Sequence, residues 1–470
     1  MSGWMAPLMF GGLVLFLLAG YPVAFALAAV GLAFGLYAVQ AGYFDFALLQ
    51  AMPERVFGIL SNELLLAIPF FTFMGAVLQR TGLAEDLLEG IGQLFGPVRG
   101  GLAFAVIIVG AIFGAITGTV AASVIAMGVI ALPIMMRYGY STRVATGVVA
   151  ASGTITQIIP PSLVLIVLAD QLGRSVGDMY AGAIGASLMQ VLLFCAFIAL
   201  LTFIRPQAVP ALPPEARTLK GRALALKIVA GVVPSLGLMF LVLGTILLGL
   251  ATPTEGGAMG AVGALLVAAA HRRLNWPMVW QAGEATMRLT AMVIFILIGS
   301  TVFALVFRGL DGDLWVERLL TGLPGGVVGF LVAVNALVFV PAFFLDFFEI
   351  AFIIIPLLAP VAAKLGIDLV WFGVLLGANM QTSFMHPPFG FALFYLRGIA
   401  PPEIKTSDIY WGALPWVGLQ LILVAILIAW PELVTGMLDH VEIITPGDAV
   451  IDIDAPVYDW GGFDGYPAGP

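Results

Sequence analysis

Of the chain's 470 residues, 61% are hydrophobic and 10% are charged, and the mean hydropathy is +1.10. A soluble domain carries about 25% charged residues, so most of this chain faces lipid or other buried helices. Its net charge of −8 includes no basic patch to suit nucleic acid, and the lone Cys195 excludes an internal disulfide or a cysteine metal cluster.

The N-terminal stretch MSGWMAPLMF has no basic region and no small-residue cleavage site, so no signal peptide is read there. About ten apolar segments then reach the roughly 20 residues that a bilayer crossing requires. They run 5–21, 22–39, 63–79, 143–168, 178–204, 228–250, 252–270, 286–307, 368–395 and 408–430. The first two are alternatively one long helix bent at Gly20-Tyr21-Pro22. Two further apolar stretches, 101–136 and 326–363, are interrupted midway by polar or charged residues. Each reads as a helix–tip–helix hairpin that enters and leaves on one side. Short amphipathic segments, 82–96 and 312–322, precede them and suit the membrane interface. After Leu438 come seven acidic residues and no Lys or Arg, the composition of a disordered or surface-lying extension.

A repeat underlies this order. ALPIMMRYGYSTRVATGVVAASGTITQIIPPS (131–162) lies over LAPVAAKLGIDLVWFGVLLGANMQTSFMHPPF (358–389) without a gap. Pro133 falls on Pro360, Arg137 on Lys364, Gly139 on Gly366, and Pro160-Pro161 on Pro387-Pro388. With three residues inserted in the second copy, YAGAIGASLMQVLL (180–193) falls on YWGALPWVGLQLIL (410–423). Each half then holds five spans and one hairpin, and because five is odd the halves are inverted. The positive-inside rule gives an independent check. With the N-terminus outside, only Arg55, Arg174, Arg308, Arg318 and Lys364 of the 19 basic residues stay outside. The expected fold is therefore an all-α polytopic membrane protein built as an inverted repeat of about five transmembrane helices plus one re-entrant hairpin per half. The first repeat is 1–205, a cytoplasmic connection 206–227, the second repeat 228–435, and the acidic tail 436–470.

Inverted repeats with helices broken at mid-membrane are the signature of secondary transporters, because a hairpin tip survives in lipid only where protein or a water-filled cavity satisfies its backbone. The first tip is GAITGTVAAS (114–123), in which Thr117 and Thr119 flank Gly118 and Thr119 is placed to cap the returning half-helix. Such a helix start offers N–H groups and a positive dipole end to an anion. In ASGTITQIIPPS (151–162), Gly153 and Pro160-Pro161 bracket an expected break. Carbonyls freed there, with Ser152, Thr154 and Thr156, suit a hard cation. The counterpart in the second repeat, GANMQTSFMHPP (377–388), supplies Asn379, Gln381, Thr382 and Ser383. In VPAFFLDFFEIAFIIIP (340–356), Asp346 falls on Thr119 under the repeat offset, and Asp346 with Glu349 reads as a capping box. A cation ligand or gate at Asp346 is the functional alternative. His386 either meets substrate, carries a proton, or bonds a neighbouring helix. Thr252 and Glu255 form another capping box, read as structural. With no HExxH, paired-cysteine site or nucleotide loop, a membrane enzyme is disfavoured.

At these residues the chain resembles the large membrane subunit of tripartite ATP-independent periplasmic (TRAP) transporters, the DctM-like family of the ion transporter superfamily. The likeness covers roughly 5–435 and is carried by GAITGTVAAS, RYGYSTRVATGVVAASGTITQIIPPS, ATPTEGGAMG and LAPVAAKLGIDLVWFGVLLGANMQ with its following Pro-Pro. The resemblance implies a scaffold holding an elevator-type transport domain, approximately 100–170 and 325–400. It also implies sodium as the coupling ion and no other cofactor, a small four-helix membrane subunit, and a periplasmic binding protein that delivers an organic acid across a bacterial inner membrane. By that likeness one sodium site involves Thr117, Gly118, Thr119, Gly153, Thr156 and Pro160, and the other Asp346, Glu349, Asn379 and Ser383. Substrate would sit between the tips, near Thr119, Ser123, Thr154, Gln381 and His386. The tips depart from the usual family pattern. Val120 replaces a hydroxyl, Ser123 replaces a threonine, and Phe347-Phe348 replace Pro-Thr after the aspartate. Fewer hydroxyls and more aromatic surface point away from a small C4-dicarboxylate, toward a 2-oxo acid or a bulkier carboxylate. A stand-alone carboxylate symporter or exchanger of the same superfamily is the rival reading.

Overall fold

Every regular element of the computed structural model is helical among the described residues, 4–343, 345–388 and 390–438. A chain in lipid must pair its backbone groups internally, and helices do this within one segment. The acidic tail drawn at 436–470 lies, from 439 onward, outside the described residues. By length and composition seven of the described helices can cross a membrane, or up to nine if each of two bent pairs is one span.

The first two segments are separate helices, Met5–Leu18 and Val23–Gln40, which pack on each other across the Gly20–Pro22 break. Val23–Gln40 also lies along the longest helix, Trp276–Gly309. Small residues permit that close approach: a Cβ added to Gly31 would stand 3.0 Å from the Phe303 backbone nitrogen. Ala67–Leu78 pairs with Pro253–Ala270 in the same manner. The amphipathic helix Leu83–Phe95 packs against Gly221–Met239, and Lys227 Nζ reaches Asp86 at 2.7 Å and Glu89 at 2.8 Å.

Two expected spans are not continuous. The segment 143–168 is divided into Thr142–Thr154, a short turn Ile155–Gln157, and Leu163–Leu172. The segment 368–395 is divided into Leu369–Met380, the turn Gln381–Phe384, and Phe391–Ile399. Proline lacks the N–H that a continuing helix would use, and each break contains a Pro-Pro pair. The helices Val176–Ile204 and Thr406–Ala429 pack directly against these broken segments.

Candidate functional site between the hairpin tips

Hairpin one consists of Gly101–Thr117 and Val120–Arg137, joined at Gly118 with φ +63°, a conformation that glycine adopts without steric cost. At its base the Leu102 N–H donates to the Tyr140 hydroxyl at 3.2 Å, satisfying one of the orphan donors of a helix start. Burial pushes the Tyr140 phenol up to about 12. At its tip the Thr117 and Ser123 hydroxyls are hydrogen-bonded at 3.0 Å. The first arm rests on the break through its glycines, Gly110 against Ser152 and Gly114 against Thr156, while Gly153 faces Val124 of the second arm. The hairpin therefore clasps the first break on both sides.

Hairpin two runs through Gly326–Phe339, the turn Pro341–Phe343, Phe347–Ile353 and Ile355–Lys364. Its returning arm bends by 53° just before Pro356, where hairpin one has Val129 and a continuous helix. The capping box expected at its tip is present. Asp346 accepts from the Glu349 N–H at 2.9 Å, and the Glu349 carboxylate accepts from the Asp346 N–H at 3.0 Å. The box at Thr252 and Glu255 is present as well. In the second break, the Asn379 amide donates to the Asn335 carbonyl at 2.8 Å and to its side-chain oxygen at 2.9 Å. Asn335 lies on the first arm of hairpin two, so each hairpin rests on the break of its own repeat.

The tips meet at a cavity of about 270 Å³. Thr119, Val120, Ala121 and Gln157 line it from the first repeat, and Asp346, Phe347, Phe348 and Phe384 from the second. Under the offset of the gapless match these are four pairs of equivalent positions. Gly118, Leu163, Phe391 and Tyr395 complete the wall, with Leu289 and Met292 of the helix Trp276–Gly309.

The expected site residues divide around this cavity. Thr119, Gly118 and Asp346 line it. Thr119 occupies the cap position of the half-helix Val120–Arg137, but its side chain makes no cap hydrogen bond, so the sequence-based cap assignment is corrected; the residue faces the cavity instead. Ser123 is buried against Thr117 behind the tip. Thr154 and Thr156 donate back to the Ala151 and Gly153 carbonyls, each at 2.9 Å. Gln381 is fully buried against Gln190. His386 lies in a different cavity, of about 390 Å³, with Tyr410 and Trp411. Its ring stacks on Phe343 with centroids 4.0 Å apart. Ser383 donates to the Met380 carbonyl, Glu349 closes the capping box, and Pro160 begins a cis Pro160-Pro161 bond matched by Pro387-Pro388. Gln157, Phe384, Phe391 and Tyr395 were not among the expected binding residues. The repeat offset pairs Gln157 with Phe384, and that signal was available in the sequence.

Chemically, the two half-helix starts differ. The second is occupied by its own carboxylate, Asp346. At the first, Thr119 makes no side-chain cap hydrogen bond, so among the described residues the positive dipole end faces the cavity without a capping side chain. Phe347, Phe348, Phe384 and Phe391 form an apolar wall beside it.

Comparison with known proteins agrees with this architecture. Residues 10–433 match the family model described as the tripartite ATP-independent periplasmic transporter, DctM component. The C4-dicarboxylate TRAP transporter large permease protein DctM of Pseudomonas aeruginosa is 30% identical over 380 residues, covering 80% of this chain and 87% of that protein. The 2,3-diketo-L-gulonate TRAP transporter large permease protein YiaN of Escherichia coli is 26% identical, covering 83% and 90% respectively. Among solved structures, the YdaH transporter of Alcanivorax borkumensis superposes with a TM-score of 0.57 at 17% identity, covering 82% of this chain and 88% of that one. That last likeness concerns the fold alone.

Proposed function

The chain belongs to the DctM component family of tripartite ATP-independent periplasmic transporters, and from that premise we propose that it is the permease of a sodium-coupled, binding-protein-dependent importer of an organic acid anion. The observation that carries the reading is the cavity between the tips, walled by four pairs of equivalent positions and by two unlike half-helix starts. The open N-terminus of Val120–Arg137 suits a carboxylate. The aromatic wall suits an apolar body attached to it, which favours a 2-oxo acid or a bulkier carboxylate. Relatives named for C4-dicarboxylate and for 2,3-diketo-L-gulonate transport support the organic acid class.

Sodium would be held where each hairpin clasps its break. The first set is Thr117, Gly118, Thr119, Gly153, Thr156 and Pro160; the second is Asp346, Glu349, Asn379 and Ser383. Hydroxyl, amide, carboxylate and carbonyl oxygens of this kind suit a hard cation. Movement of the hairpins and breaks past the helix Trp276–Gly309 would carry the cavity across the bacterial inner membrane. The small four-helix subunit and a periplasmic binding protein complete the system.

Proteoliposomes containing the chain, its small subunit and the binding protein test this reading. Uptake of the organic acid should require an inward sodium gradient. Equal uptake in potassium contradicts sodium coupling, and uptake by the chain alone favours the stand-alone symporter.

A further inference from the structure

A second cavity, of about 310 Å³, lies toward the C-terminal end of the same long helix, whose middle lines the first. It is lined by Arg55 and Arg308, by Asn62, Ser300 and Thr301, and by Asp170. Both arginines are exposed, and neither forms an ion pair among the described residues. Asp170 is the opposing charge, but both of its oxygens are engaged, one by the Asn62 amide at 2.7 Å and the other by the Gln171 amide at 2.8 Å. The cavity therefore keeps a net positive charge and two unused guanidinium forks, the side chain best matched to a carboxylate.

Its position relates it to the central cavity. Met292 lines the inner cavity, and Ser300, Ala304 and Arg308 line this one. Ser300, Ala304 and Arg308 follow one another at four-residue steps on the helix that carries Met292, so that one helix contributes to both cavities. At 1.5 Å per residue, Arg308 lies roughly 24 Å along the axis from Met292. Between the cavities stand two stacked rings: Phe348, which lines the inner cavity, and Phe352, which lines the outer, with centroids 6.2 Å apart. Arg55 and Arg308 both fall on the side that the charge bias places outside.

We propose that this cavity is a staging site for a carboxylate anion, held by Arg55 and Arg308 before it passes the Phe348–Phe352 pair into the cavity between the tips. The inference rests on the organic-anion reading above, but its test does not require transport. In a Cys195→Ser background, Thr301→Cys places one thiol in the cavity of the full chain in nanodiscs. Labelling by an anionic sulfonatoethyl methanethiosulfonate should outpace labelling by a cationic trimethylammonium analogue by about tenfold, after correction for their rates with a free thiol. Adding Arg55→Gln and Arg308→Gln should remove that preference, and Lys at both positions should restore it, which a merely misfolded variant would not do. Succinate should slow labelling more than chloride at equal ionic strength. A corrected ratio near one, a ratio that survives loss of both arginines, or equal slowing by chloride overturns the proposal. Because no gradient is involved, failure of sodium-driven uptake would leave this result unaffected.

Discussion

Gln190 and Gln381 exchange two hydrogen bonds, Nε2 to Oε1 at 2.7 Å and 3.0 Å, with both side chains fully buried. The inverted repeat supplies the counterpart. Gln190 falls on Gln420 and Gln381 falls on Thr154, and the Gln420 amide donates to the Thr154 hydroxyl at 3.1 Å. A glutamine from each half therefore reaches the broken helix of the other half. Each break is thus held by the other half as well as by the hairpin of its own repeat.

Removing one partner of such a pair leaves a buried amide unsatisfied, at about 1–3 kcal/mol. Gln190→Leu and Gln381→Leu should each destabilise the purified protein by roughly that amount. The double variant should cost less than the sum, since neither side is then left with an orphan amide. Strict additivity in an unfolding double-mutant cycle would show that the two side chains do not interact.

Asp346 both caps its half-helix and lines the central cavity, whereas Glu349 closes the box without lining it. Asparagine is as good a cap as aspartate, so Asp346→Asn should fold normally while losing most sodium-dependent uptake. Glu349→Gln should be milder in uptake. Uptake assays and thermal unfolding on both variants decide this, and the reverse ranking would mean that the two acids have exchanged roles.

The aromatic wall should set selectivity. Phe384→Ala exposes roughly 50 Å² of a bound apolar group, worth about 1.3 kcal/mol at 25 cal/mol per Å². Competition by a branched 2-oxo acid should weaken about tenfold, while competition by pyruvate changes little. An equal loss for both would remove the wall from the selectivity argument.

Gly75, on the helix Ala67–Leu78, lies directly beneath the Thr117 carbonyl at the first tip, and a Cβ there would overlap that oxygen. Overpacking of this kind costs about 1–3 kcal/mol. Gly75→Ala should therefore depopulate this arrangement roughly fivefold or more, and a cysteine at Thr119 should change its accessibility from the two membrane faces. Unchanged accessibility would mean the contact is easily relieved.

Much of this site is legible in the sequence, for identifiable reasons. Thr117-Gly118-Thr119 and Asp346 interrupt long apolar runs, and in lipid an interruption must be either a defect or a tip. The Asp346–Glu349 spacing specifies its own local hydrogen bonds, and the structure contains them. Partners distant in sequence are different. Gln190 in an apolar helix implies a buried bond, but nothing local identifies Gln381, 191 residues away. Thr119 has the right residue type for a cap, yet capping depends on a side-chain rotation that sequence does not specify. The helix Trp276–Gly309 extends N-terminally beyond the apolar 286–307 through a more polar part that carries Gln281 and Glu284. The short helices Ala47–Gln50 and Met52–Leu60 are hidden by the same mixture of polar and apolar residues.

The central claim is that the tips travel past the long helix, and linking the two tests it most directly. Met292 and Phe348 line the same cavity, and their helices pack together. In the Cys195→Ser background, Met292→Cys and Phe348→Cys joined by a short reducible bifunctional thiol reagent should abolish uptake, with recovery on reduction. Full uptake by the linked protein would contradict the account.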